Sequence, residues 1–155
     1  MKKYAISGLS KFIIFFVLLA MIAIVVITFV QHYPFKDNGA YFVLVICFVF
    51  GGYITKTLFD ISKEKFKALI ADYPNRKYYF ETKKNEVYEL SFDDIKGIYM
   101  IKGQIIRSVP LGHVNIITKR GHSLSLTISN IDDFFVGLPD GIEKNLEEVL
   151  FYRVK

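Results

Sequence analysis

Three histidines, one cysteine and two aspartate pairs are the side chains in this 155-residue chain best suited to act as ligands, bases or nucleophiles. His113 and His122 fall near the starts of short alternating runs, with no cysteine or paired histidine at ligand spacing. As neighbours across two strands they would supply two ligands at most, so exposed strand histidines are the expectation. His32 directly follows a long apolar run, apart from both. Asp93-Asp94 and Asp132-Asp133 have the form of paired carboxylates, but each pair stands at an element boundary, where turn and cap roles account for it. Cys47 lies inside an apolar run, where a thiolate is costly and packing is the natural role. A lone cysteine excludes an intrachain disulfide and a multi-thiolate metal site, and suits a reducing compartment. There is no phosphate-cradling glycine loop, no Gly-x-Ser-x-Gly and no His-Glu-x-x-His. No catalytic residue, metal site or cofactor is expected, and the chain does not read as an enzyme.

The elements around these residues explain the poverty of chemistry. Phe12–Val30 (FIIFFVLLAMIAIVVITFV) carries no charge and only Thr28 as a polar side chain. As a helix it reaches about 29 Å, the hydrocarbon thickness of a bilayer, and it lacks the polar face of a soluble core helix. The run ends in Thr28-Phe29-Val30-Gln31-His32 without the small residues of a cleavage site, so an uncleaved anchor is expected. Gln31–Gly39, with Pro34 and Asn38-Gly39, reads as a short polar turn. A second apolar run, Ala40–Thr55, extends to about residue 58 if Lys56 snorkels. A transmembrane hairpin over 1–59, with spans at about 12–30 and 40–58, follows. Neither span holds an ionisable residue at mid-depth, which leaves a two-helix channel or transporter unsupported.

Charge orients this hairpin. Lys2, Lys3 and Lys11 precede the first span without any acid, and Lys56–Lys84 holds eight bases against four acids. The connecting loop has only Lys36 offset by Asp37. The positive-inside rule places both termini in the cytoplasm. Asn85–Lys155 has eight bases and ten acids, so the net charge of +5 belongs to the flanks of the spans and a nucleic-acid surface is excluded. Lys56, Lys63, Lys65, Lys67, Lys83 and Lys84 are the residues expected near anionic lipid. Leu58–Ala71 shows an apolar stripe at helical spacing, which predicts a juxtamembrane helix over 60–73 ended by Asp72-Tyr73-Pro74-Asn75.

Beyond Pro74 the period changes from 3.6 to 2. Arg76–Thr82 and Glu86–Phe92 flank Lys83-Lys84-Asn85 as a hairpin. Ile95–Ile101, Gln104–Val109, Val114–Thr118 and Leu124–Ile128 follow as short strands, with turns at Lys102-Gly103, Pro110-Leu111-Gly112 and Arg120-Gly121. Ile142, Leu146, Val149 and Leu150 form a helical stripe over Ile142–Tyr152, with Arg153 and Lys155 at its end. The expected fold is α+β: a transmembrane hairpin, then a cytoplasmic domain over 74–155 built as a small antiparallel barrel or curled sheet capped by a C-terminal amphipathic helix.

Phe92, Asp94, Ile95 and Ile98, followed by Gly112, Val114, Ile116, Thr118 and Gly121 and by the Asn130–Phe134 connection, resemble bacterial pleckstrin-homology-like (PH-like) domains carried on a two-helix membrane anchor. The resemblance covers roughly 76–152. It implies a bacterial cell or inner-membrane protein of the envelope-associated accessory kind, some relatives of which are self-protection factors against membrane-active peptides. The first hairpin interleaves Glu81, Glu86 and Glu89 with Lys77, Lys83 and Lys84, which departs from the basic cluster of phosphoinositide-gripping relatives. The expected function is a non-enzymatic binding module that docks a partner protein at the cytoplasmic face. The alternatives are an anionic-lipid-responsive or self-protection (immunity-like) membrane protein, or a structural membrane subunit that self-associates.

Overall fold

The computed structural model describes residues 1–34, 38–106 and 109–151. Lys36 and Asp37 of the interhelical loop, and Tyr152, Arg153 and Lys155 of the expected terminal helix, lie outside the described residues. A short strand β1 (Lys2–Ala5) leads into helix α1 (Gly8–His32), and helix α2 (Asn38–Lys63) returns antiparallel to it. Both helices are long and apolar enough to cross a membrane, and only 11% of the apolar stretch of α1 and 22% of that of α2 is buried. That low burial separates them from core helices of a soluble domain. Ser7 caps α1 by accepting from the Ser10 N–H at 3.0 Å.

Strands β2 (Phe66–Asp72), β3 (Lys77–Thr82) and β4 (Val87–Ser91) join β1 in one antiparallel sheet of order β1-β2-β3-β4. A 3₁₀ turn at Phe92–Asp94 leads to β5 (Ile95–Ile106), β6 (Val109–Thr118) and β7 (Ser123–Ile128). Helix α3 (Ile131–Val136) and strand β8 (Glu143–Phe151) end the described chain, and the second sheet runs β7-β6-β5-β8 with β8 parallel to β5. The sheets share one core. Leu69, Tyr78 and Phe80 from the first meet Ile98, Met100, Val114, Ile116 and Leu126 from the second, all but inaccessible to solvent. Ile131 and Phe134 of α3 close it, Phe134 edge-on to Tyr4 at 5.1 Å. Gly112 allows this closure, because a Cβ there would lie 2.4 Å from that of Ile131.

Three expectations are corrected. The segment after Lys63 is strand β2, not a juxtamembrane helix to residue 73, and α2 ends at Lys63. Phe66, Ala68, Leu69, Ala71 and Asp72 are all buried, so this strand between two neighbours lacks the period-2 alternation that would reveal it. The expected C-terminal capping helix is β8. Its Ile142 and Leu146 stripe packs on the shared core while its backbone pairs with β5, a partner that helical periodicity does not register. Lys102-Gly103 and Pro110-Leu111-Gly112 are not turns but lie inside the longer strands β5 and β6, pairing Lys102 with Gly112 and Gly103 with Leu111. Lys2 and Lys3, which precede the first apolar helix as expected, are also part of β1. Tyr4 inside it is 2% exposed.

Burial pushes the phenols of Tyr4, Tyr73 and Tyr78 up from their ordinary range. Tyr4 and Tyr73 hydroxyls share a hydrogen bond at 3.1 Å, whereas the buried Tyr78 hydroxyl has no hydrogen-bond partner among the described residues. An unpaired buried hydroxyl is a standing cost of about 1–3 kcal/mol. Tyr78→Phe is therefore expected to raise the thermal midpoint of the detergent-solubilised protein. A midpoint lowered by the change would show that the hydroxyl is satisfied.

Candidate functional site at the junction of hairpin and sheets

The two ends of the helical hairpin meet the sheets at one place, and the candidate lysines gather there. Leu111 of β6 is fully buried against Ile14 of α1 and Ile54 of α2, so the second sheet plugs the open end of the hairpin. Ser129, just past β7, donates its N–H to the Ala5 carbonyl at 3.2 Å and accepts from the Ser7 N–H at 3.0 Å. The Ser10 and Ser129 hydroxyls lie 3.2 Å apart.

Glu64, between α2 and β2, turns inward. Its carboxylate, 7% exposed, accepts from the Thr127 N–H at 2.8 Å and from the Thr127 hydroxyl at 2.5 Å. The Thr127 N–H belongs to an edge strand, so this carboxylate both covers the edge of β7 and ties α2 to it. His113 Nδ1 stands 3.3 Å from the Glu64 carboxylate, and the ring is 3% exposed. This corrects the expectation of an exposed strand histidine for His113; His122 is exposed. Neither His113 nitrogen has a hydrogen bond of good geometry among the described residues, so Nδ1 lies beside the Glu64 carboxylate without bonding it. Sequence reasoning missed Glu64 because it sits in the charged run Ser62–Lys67, and its partner is 63 positions away.

Of the six candidate lysines, five come together. Lys63, Lys65, Lys83 and Lys84 rim a cleft of about 380 Å³ at the C-terminal end of α2. The Lys83 ammonium donates to the carbonyls of Ile61 (3.5 Å) and Ser62 in the last helical turn, where a cation is favoured by the helix dipole. Lys63 lies over the Phe59 ring at 4.0 Å and Lys65 over the Tyr88 ring at 4.3 Å. Lys67 faces an adjoining cavity of about 350 Å³ together with Lys83 and with Lys11, which was not among the candidates. Lys56 stands apart, exposed on α2 two turns earlier.

Glu81 clamps the start of the chain to this collar. It pairs with Lys3 of β1 and Lys67 of β2, each at 2.8 Å, and those bonds hold its carboxyl below the usual carboxylate range. On the outer face of the second sheet, Tyr99, His113, Asn115, Asn145 and Glu147 line a more polar cleft of about 280 Å³. No group of three or more metal-ligating side chains occurs among the described residues. Compared with family models, curated proteins and solved structures, the chain matches none.

Among the described residues, no further strand pairs with the far edge of the first sheet. Thr82 N–H bonds the Glu86 carbonyl at 2.8 Å and Phe92 N–H bonds the Arg76 carbonyl at 2.9 Å. Bonded pairs recur at every second residue of an antiparallel ladder, so Tyr88 and Leu90 bond β3 while the N–H groups of Val87, Glu89 and Ser91 point off the edge. Val87 is 60% exposed and Tyr88 42%.

Two outcomes test this junction. Glu64→Ala removes a charged acceptor from two Thr127 donors and is expected to cost about 2–4 kcal/mol in unfolding experiments, with Glu64→Gln recovering part of it. Equal stability of Glu64→Ala and wild type would show that the carboxylate does not tie α2 to β7. The Glu81 clamp has an acid dependence. Because its folded value is lowered, its contribution is complete above the ordinary carboxylate value and declines as pH falls through the lowered one. The thermal midpoint of wild type minus that of Glu81→Gln is expected to be constant from neutral pH down to about pH 4.5 and to shrink below it. A difference that is already shrinking between pH 7 and 6 would contradict the pairing.

Proposed function

We propose that this protein is a non-enzymatic, membrane-anchored binding module that docks a partner protein at the cytoplasmic face. The observation that carries it is the β4 edge, whose outward N–H groups have no strand partner among the described residues, beside the exposed Val87 and Tyr88. Such an edge accepts an extended segment of another chain as an added strand. Natural sheets blunt idle edges with charge, as β8 does with Glu143, Lys144, Glu147 and Glu148, whereas β4 presents an apolar residue beside its one glutamate.

The anchor is the α1–α2 hairpin, whose exposed Phe12, Phe15, Phe16, Phe42 and Phe48 suit hydrocarbon and would be costly in water. β1 and the sheets lie at the same end of that hairpin, and this end carries the collar of lysines, which supports both termini on the cytoplasmic side of a bacterial membrane. The pairing of β1 with β2 also gives the residues before α1 a structural role that cleavage after the span would remove. We keep the PH-like kinship as part of the proposal, with α3 in the lid position over the core and β8 in place of the expected capping helix.

Proline at position 87 blocks the outward N–H without removing a ladder bond. Tagged wild type, purified from gently solubilised native membranes, is expected to return one stoichiometric partner. Val87→Pro is expected to lose that partner while keeping its thermal midpoint. A wild type that returns alone, or a proline variant that keeps the partner, would overturn edge docking. A defined oligomer of the chain itself would favour the structural-subunit reading.

A further inference from the structure

Where β1 passes into α1 and α2 into β2, a cavity of about 350 Å³ opens between the hairpin and the sheets. Its lining is mostly apolar by area, with Ile14, Leu58 and Ile61 as walls, and Lys11, Lys67 and Lys83 are the cationic residues that line it. Glu64 is the one carboxylate among the described lining residues, and both its oxygens are engaged by Thr127. The Lys11 ammonium has no ion pair or hydrogen bond among the described residues, and only its backbone N–H is engaged, by the Ser7 carbonyl at 3.1 Å. Lys83 spends two donors on the α2 carbonyls and Lys67 two on Glu81 and Asn85, so each ammonium keeps a third.

We infer that this cavity is a discrete site for one anionic phospholipid. Its phosphate meets the ammonium groups of Lys11, Lys67 and Lys83, and the adjoining glycerol and first methylenes lie against Ile14, Leu58 and Ile61. The inference rests on the hairpin spanning a bilayer, and the position of the cavity along it selects the occupant. Lys11 immediately precedes the apolar run that begins at Phe12, and Leu58 and Ile61 lie in the last turns of α2. That is the height at which hydrocarbon gives way to phosphate. A free phosphate leaves the apolar walls unused, and a zwitterionic lipid brings no net charge to three cations. Lys56 and Lys84 do not line the cavity, so the site is separable from a general attraction to anionic membranes.

Native mass spectrometry of the full chain in neutral detergent, titrated with phosphatidylglycerol or phosphatidylcholine, reads this directly. The expected result is one phosphatidylglycerol per chain, favoured about tenfold or more over phosphatidylcholine, whose choline cation cancels the phosphate charge that the lysines would meet. Lys11→Gln, at an exposed position whose ammonium has no partner among the described residues, is expected to cut the preference at least threefold, and Leu58→Trp to exclude the lipid by filling the wall. Lys56→Gln and Lys119→Gln, both exposed and outside the lysine collar, are expected to leave binding unchanged. Equal binding of the two lipids, an equal loss in Lys56→Gln, or saturation by glycerol phosphate alone would overturn the site. A chain that stays monodisperse without detergent would instead show that the bilayer reading has failed.

Discussion

The pairing of β1 with β2 is the constraint on which the rest of the molecule depends. β1 directly precedes α1 and β2 directly follows α2, so four backbone pairs from Lys2↔Ala71 to Ala5↔Ala68 close the hairpin into a loop clamped at its base. Once that clamp is made, the sheet has a fixed position at one end of two helices that bury little of their own surface. Glu64 with Thr127, and Ser129 with Ala5 and Ser7, repeat the tie between hairpin and second sheet. Leu111 adds an apolar plug between Ile14 and Ile54. The polar ties are oriented hydrogen bonds and the plug is non-directional, so together they set both distance and angle.

The core obeys the same economy. Two four-stranded sheets cannot each expose an apolar face to water, and they solve this by facing one another. The corner where β1 and β2 approach β7 is closed by the junction itself, and α3 covers the core with Ile131 and Phe134. An aromatic layer of Tyr4, Tyr78, Phe92 and Phe134 fills the middle, with Tyr78 and Phe92 ring centroids 4.5 Å apart. Its density carries a cost at Tyr78, whose hydroxyl is enclosed without a partner among the described residues. The charged edge of β8 and the sparser edge of β4 then give the domain two unlike borders.

Legibility followed the range of the interactions. The hairpin of β3 and β4 was readable because alternation and a short polar turn lie close together in sequence, and the strand cores of β6 and β7 were readable for the same reason. The gathering of five lysines was half visible: Lys63, Lys65 and Lys67 are neighbours in sequence, but Lys83 and Lys84 reach them only through the β2–β3–β4 register. β8 was misread because Ile142 and Leu146 satisfy both a helical and an alternating spacing. The free edge of β5, 44 residues from Glu143 at its Tyr99 contact, decided between them.

By itself, the sequence determined two apolar helices, the sign and place of their flanking charge, and a strand-rich remainder poor in catalytic groups. These are local properties, since hydropathy, charge and turn residues act over a few neighbouring positions. Only the tertiary structure decided that the first residues form a strand, that Glu64 turns inward against Thr127 and His113, and that the terminal segment pairs parallel with β5. Each of these joins residues more than forty positions apart. A hydrogen bond to a distant backbone, or the burial of a charge beside a distant donor, leaves no periodic trace at either end.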